Sequence, residues 1–482
     1  MQRRASALAL VLAVLLAACA DGGDGSAERD PERERPTTTT TARPSTTTTS
    51  LGVRLDPGTS ATQPCPDVPA MAGPDPRRPR YRLDMALDLA AGAVTGDLAV
   101  RFRPNLDVDR LVFRLWPNGP SLAAAGTRLE AGPVTLDGAP PVPGEQPDPT
   151  TLVVPLGRTL RAGTSIEASL PWRLTLPGSI EDRISRSGDA VRLGTFFPLL
   201  PWEPGVGWAL EPPTGLLGES TTSPAADFDW SLAVPEGLTV LGSGMPEGGR
   251  WRATAMRDVG ISVGRFAVAE GTAVGGAVRV VVGVHEGVDE DPAAYRDRVV
   301  DALDDLSGRF GAYPWPSFSL ALTPEFPGGI EYPGHVMQGP GTIGRTTPHE
   351  VGHQWFYGLV GNDQGRDPVL DEGLATWAEV RADGGPGVLD ETVPASVVGR
   401  AGEPMTYWDG HRSGYYRGVY VQGAQALAAL GDQDAVDCAL RRYVAAEAFA
   451  IARPADLIGA LTTAFPDAAA TLGRFGVVAA PR

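Results

Sequence analysis

One run of this 482-residue chain restricts its fold and chemistry more than any other: residues 348–379, PHEVGHQWFYGLVGNDQGRDPVLDEGLATWAE. It holds His349-Glu350-Val351-Gly352-His353, two histidines four apart with a glutamate after the first. Residues four apart lie on one face of a helix. The two imidazoles can therefore aim at a single metal ion, with Glu350 beside them. Catalytic zinc sites take three protein ligands and leave the fourth position to water. Glu372, separated from His353 by eighteen residues, is the third candidate. Gly358, Gly361, Gly365 and Pro368 lie in between, so the chain can turn and open a second helix near Pro368. Glu372 would then face the first helix. The competing reading is a surface helix with two solvated histidines. With only five histidines in the chain, this spacing seldom arises by chance.

The N-terminus reads as a targeting segment. Arg3 and Arg4 precede an apolar run, Ala7 to Leu16, that is too short for a comfortable membrane span. Residues 1–18 are thus a signal peptide, and Leu16-Ala17-Ala18-Cys19 resembles a bacterial lipobox. That likeness implies cleavage before Cys19, lipid on Cys19, and a mature chain held outside the cytoplasm on the cell membrane. Residues 19–75 are rich in Thr, Pro, Ser, Gly and Arg, with threonine runs at 37–41 and 46–49. They offer too little apolar surface to offset the entropy of ordering, and read as a disordered tether. The formal net charge is −17 and the chain has no lysine; surplus acid argues against nucleic-acid binding.

From Arg80 to about Thr272, short alternating segments separated by glycine and proline read as an all-β domain, residues 76–272. Its candidate strands include Tyr81–Leu89, Arg110–Leu115, Leu152–Leu156, Ser165–Leu176, Asp227–Val234 and Ile261–Ala269. Residues 273–482 then switch character. Val278–Val284 and Ser317–Leu322 are apolar strands, and Pro292 to Phe310 has Val299, Val300, Leu303 and Leu306 at helical spacing. Further helices are expected around 434–445, 455–464 and 468–475. With Cys19 set aside, Cys65 and Cys438 can pair or remain two thiols.

His349, Glu350, His353 and Glu372, with the words HQWFYGLVGND and LDEGLATW around them, match the pattern H-E-x-x-H, eighteen residues, E. The chain thereby resembles the gluzincin metallopeptidases of the aminopeptidase N and leukotriene hydrolase type, from about Arg80 to Phe475. The resemblance implies an α+β multidomain fold: an N-terminal all-β, saddle-like domain followed by a thermolysin-like, mainly α catalytic domain. It implies one Zn²⁺ per chain, held by His349, His353 and Glu372, with Glu350 as general base. Gly328-Gly329-Ile330-Glu331-Tyr332 stands where the family has G-x-M-E-N, so Glu331, with Gly328 and Gly329, becomes the candidate substrate-binding set. Ile330 replaces Met and Tyr332 replaces Asn. Tyr420, in a segment similar to Y-x-K-G-A, is the candidate oxyanion donor, with Tyr415 and Tyr416 as neighbours that could compete for the role. The tract from Phe196 to Trp208 matches the part of the β-domain that nears the cleft; its aromatics can be core or substrate contacts. Candidates for orienting the histidines are Asp371 and Glu379. The activity implied is removal of N-terminal residues from peptides. Two other classes stand beside it: a zinc endopeptidase or other zinc hydrolase, and a non-catalytic metal-binding surface lipoprotein. Glu350 and Tyr420 argue against the last, because holding zinc requires neither.

Overall fold

The computed structural model describes residues 65–216, 222–384 and 387–479. The signal peptide, Cys19 and the tether as far as residue 64 lie outside them. Strand follows strand up to His285, interrupted only by short helical turns, and helices dominate after Pro292.

Arg80–Asp88 shows how the N-terminal strands form. Tyr81, Leu83, Met85 and Leu87 are buried, and the residues between them face outward, the period of a half-buried strand. This strand pairs antiparallel with Ala93–Phe102 and parallel with Ala226–Ala233 in an eight-stranded sheet. A four-stranded sheet runs in the order Thr239–Gly242, Gly260–Gly264, Ala190–Gly194, Ile184–Ser187. The aromatic tract joins the hydrophobic core, where its rings meet Tyr81, Phe102, Trp172 and Phe228 of the eight-stranded sheet. Phe196 and Phe197 are buried edge to face, and Trp202 meets Phe102 and Trp208 in the same manner.

The next sheet has five strands, in the order Phe266–Ala273, Val278–His285, Ser317–Leu322, His335–Gln338, Gly329–Tyr332. Val278–His285 and Ser317–Leu322 run parallel and are buried almost throughout, as expected of apolar strands covered on both faces. The Pro292–Phe310 helix packs across this sheet through Tyr295, Val299, Leu303 and Leu306. Asp291 caps its start by accepting from the Ala293 amide at 2.9 Å, and Gly311 ends it at a positive φ of 107°. Gly329–Tyr332 is the outermost strand, bonded on one side only.

Ile261–Ala269 divides into Gly260–Gly264, in the four-stranded sheet, and Phe266–Ala273, which pairs with Val278–His285. The change of sheet therefore falls near Arg265, inside the expected strand. An apolar run carries no mark of the sheet it joins, so alternation alone could not locate the break. The expected tether also ends earlier than residue 75. Cys65 is disulfide-bonded to Cys438 in the Gln433–Glu447 helix. The Ala72 amide donates to the Ala445 carbonyl at 2.8 Å, and Arg442 donates to the Pro66 carbonyl at 2.7 Å. Residues 65–75 thus lie along that helix, held by the disulfide that was one of the two expected states of these cysteines. Among the described residues, no helix is long and apolar enough to cross a membrane.

Arg257 joins the β-rich half to the loop that follows the metal-motif helix. It is buried, and its guanidinium donates to the carbonyls of Tyr357 at 2.9 Å, Ser223 and Leu359 at 3.1 Å, and Ala450. Burial lowers its pKa to about 10. Removing it would strand several buried carbonyls at once. Arg257→Ala is expected to cost at least ~3 kcal/mol, the scale for breaking a buried charged contact from one side. Denaturant unfolding of the purified variant measures it.

Candidate metal centre and its surroundings

The Thr346–Gly352 helix carries His349 and Glu350, and His353 closes its end. The chain then loops through residues 354–367, makes a short turn at Pro368–Leu370, and opens the Glu372–Asp383 helix on Glu372 itself. The expected return helix is present, starting at Glu372. The two helices pack directly against each other, partly because Gly352 sits against Ala378, where a Cβ would approach to 2.8 Å.

Three ligand atoms meet there. His349 Nε2 and His353 Nε2 are 3.1 Å apart. Glu372 Oε2 lies 3.2 Å from the first and 3.3 Å from the second. Tetrahedral ligands at about 2.05 Å from a zinc ion are separated by about 3.3 Å. The triangle is therefore the right size for one face of such a site. The electrostatics agree. Burial opposes a charge on His349, but hydrogen bonding to Glu372 and Glu379 outweighs it and raises its pKa to about 9. For His353, burial is outweighed by the charges of Glu331 and Asp371, and its pKa also rises well above the usual value. Burial resists ionisation of Glu372, yet the two histidines hold its pKa far below the carboxylate range. A potential that favours protons at these atoms also favours a metal cation in their place.

The outer contacts divide between the two carboxylates named from sequence. His353 Nδ1 lies 2.8 Å from Asp371 Oδ1, and Gln364 donates to the other Asp371 oxygen at 2.7 Å. His349 Nδ1 lies 3.4 Å from Glu379 Oε2, while Arg345 donates to Glu379 Oε1 at 2.6 Å. Each imidazole thus has a carboxylate behind it and turns Nε2 to the centre. Arg345 and Gln364 escaped the sequence reading; neither stands at a spacing that marks it.

Glu350 and Glu331 share a second cluster with His353, their ligand atoms all within 4.8 Å of one another. Both glutamates are buried. Glu331 reaches the cluster from the outermost strand. Gly329, two residues earlier, lets that strand lie on the Glu350 side chain: a Cβ at 329 would stand 2.4 Å from Glu350 Oε1. Gly328 precedes the strand, and its carbonyl accepts from the Gly339 amide at 3.0 Å.

Tyr420 comes from a π-helical turn, Arg417–Val421, a distortion often found at functional sites. Its hydroxyl donates to Glu372 Oε1 at 2.5 Å and its ring stacks on His349 at 5.7 Å. Burial and the Glu372 charge raise its pKa well above the usual phenol value, so the hydroxyl keeps its proton to donate. Tyr416 turns away, to Arg345 and Glu391. Tyr415 packs edge-on against Tyr420. The structure thus brings together His349, His353, Glu372, Glu350, Glu331, Gly329 and Tyr420. Cys19 lies outside the described residues.

No protein-family model matches the chain. Solved structures do share its fold. An M1 zinc metallopeptidase from Deinococcus radiodurans is 20% identical, covering 84% of this chain and 96% of its own, with a TM-score of 0.59. A mutant of that enzyme bound to a Tyr-Ser-Ala substrate matches equally well, at 20% identity, the same coverage and 0.59. A mutant of a two-domain M1 zinc metallopeptidase, bound to L-tryptophan, matches at 20% identity, 84% and 96% coverage, and 0.60. The likeness is one of fold: a mixed α/β chain built as the M1 zinc metallopeptidases are.

The carboxylate behind His353 provides a direct test of the metal centre. Asp371→Ala is expected to weaken divalent-metal binding by about 10–100-fold, the usual cost of losing such a partner. Competition with a chelator, followed by metal analysis, checks it.

Proposed function

We propose that this chain is a zinc-dependent aminopeptidase that removes single residues from free peptide N-termini. The observation that carries the reading is the ligand triangle of His349, His353 and Glu372 with Glu331 and Glu350 beside it. Zinc on those three ligands would polarise the scissile carbonyl and lower the pKa of water.

The chain's own groups divide the remaining work. Glu350 takes the proton of the attacking water and passes it to the leaving amine. Tyr420 aims its hydroxyl at the oxygen that gains charge as the carbonyl becomes tetrahedral; a placed donor of this kind is typically worth ~3 kcal/mol. In the structure the same hydroxyl donates to Glu372 Oε1. Glu331 receives the substrate's α-ammonium. A buried carboxylate attracts positive charge, and an ammonium one residue from the scissile carbonyl would carry that charge to it. Asp371 and Glu379 keep the imidazoles oriented. The Tyr-Ser-Ala substrate bound to one solved structure of similar fold is of the class this site would take.

Aminoacyl coumarin amides with and without an N-acetyl group test the reading. Acetylation should lower kcat/KM by at least roughly thirtyfold, the scale for leaving one partner of a buried charge pair alone. Equal turnover of the two would point to an endopeptidase and sink the aminopeptidase reading. Glu350→Gln should keep stoichiometric zinc while losing most turnover on either substrate.

We also propose that the mature chain is anchored to the outer face of the cell membrane by lipid on Cys19, on the strength of the short apolar segment ending in Leu16-Ala17-Ala18-Cys19. Cys19→Ser should release the protein from the membrane fraction. A variant that still sediments with membranes would mean another anchor.

A further inference from the structure

Tyr332 departs from the family pattern, and its surroundings give it a use. Successive strand residues point to opposite faces. Glu331 belongs to the cluster with Glu350 and His353, and Tyr332, fully buried, points the other way into the four-stranded sheet. It meets that sheet at two glycines that are direct cross-strand partners, Gly194 and Gly260. A Cβ on Gly194 would stand 2.0 Å from the Tyr332 hydroxyl oxygen, and one on Gly260 would stand 2.6 Å from the ring. Two adjacent positions without side chains thus form a slot that one phenol ring fills. The hydroxyl lies 3.3 Å from Thr195 Oγ1.

The same sheet grips the segment on either side. Arg192, two residues before Gly194, donates to Thr323 Oγ1 at 2.8 Å and lies 4.4 Å over the Phe326 ring. His335, the cross-strand partner of Tyr332, has Nε2 2.9 Å from Ser262 Oγ. From the opposite side comes Gln354, fully buried and next in the chain to His353. Its Nε2 donates to the Tyr332 carbonyl at 3.1 Å, and its Oε1 accepts from the Gly334 amide at 2.8 Å. The turn beyond Glu331 is thus clamped between the metal-ligand segment and the N-terminal sheet.

We propose that Gln354 and the joint of Tyr332 with Gly194 and Gly260 are positioning elements that set the distance from Glu331 to the metal ligands, and so limit cleavage to one residue. The inference rests on the aminopeptidase reading. Glu331 sits on a short strand bonded along one edge only, and such a strand can shift. The substrate's ammonium stands at a covalently fixed distance from its scissile carbonyl. The protein must hold its own spacing as firmly, because a displacement of about 1 Å can cost about 10²-fold.

The test compares the parent with Gly194→Ala, Gln354→Glu and Tyr332→Phe. Gln354→Glu keeps the size of the side chain and removes the donor to the Tyr332 carbonyl. For each, zinc content, melting temperature, and kcat and KM on free and N-acetylated aminoacyl coumarin amides are measured. Calorimetric binding of L-leucinamide gives a readout apart from turnover. Gly194→Ala and Gln354→Glu should keep their zinc and hold kcat within about threefold. They should raise KM for the free amine by at least about tenfold, weaken leucinamide binding in step, and narrow the preference over the acetylated substrate. Tyr332→Phe, which keeps the ring, should stay within about twofold of the parent. If one variant loses zinc, the other decides. Loss of zinc from both would show that the clamp holds the metal ligands rather than Glu331, and would overturn the proposal. So would zinc-loaded variants with the parent's preference, in a parent that discriminates. A parent indifferent to acetylation defeats the aminopeptidase reading first, and this proposal with it.

Discussion

The structure is organised around a concentration of buried negative charge. Glu331, Glu350, Asp371, Glu372 and Glu379 are all buried around two histidines. Ionised carboxylates removed from water are expensive unless cations and hydrogen bonds meet them. Glu379 is met by Arg345, and Asp371 by Gln364 and His353. Glu372 is met by both histidines and the Tyr420 hydroxyl. The charge is therefore neutralised in layers, and the innermost layer is the point where three ligand atoms converge. This explains the raised histidine pKa values without appeal to either histidine alone. A divalent cation at that point answers the same field with twice the charge of a proton.

What could be read from the chain beforehand follows the range of the interaction. The motif helix, the return to Glu372, and the Pro292–Phe310 helix depend on neighbours a few residues away, and their spacing announces them. The Tyr81, Leu83, Met85, Leu87 alternation is equally local. The division of labour between Asp371 and Glu379 depends on which imidazole each helix turns toward it, and both carboxylates suit either role on paper. Tyr332 is the sharpest case. In the sequence it is a departure from a pattern; in space it fills a gap left by Gly194 and Gly260, which are 138 and 72 residues earlier in the chain. No local signal joins those three positions. The switch of sheets near Arg265 was hidden for the same reason, whereas the Cys65–Cys438 link was open to reading as one of two alternatives.

The β-rich half consequently does more than accompany the site. Its four-stranded sheet touches the segment around Glu331 through Arg192, Gly194, Gly260 and Ser262. Arg257, a few residues before Gly260, donates to the carbonyls of Tyr357 and Leu359, which follow His353. One face of the N-terminal half thus contacts both the strand that carries the candidate amine-binding acid and the loop that leaves the metal-ligand helix. Two elements held to a common third body keep a constant spacing, whereas two elements joined only by their own loops do not. Residues 333–348 lie between Glu331 with Tyr332 and His349, and they include the turn clamped by Gln354. That stretch alone could flex. Buried contacts from a separate sheet remove the freedom at little entropic cost to the site, because the sheet is already ordered by its own core. Such rigidity is what a catalyst needs when charge binding and bond cleavage must occur a single residue apart.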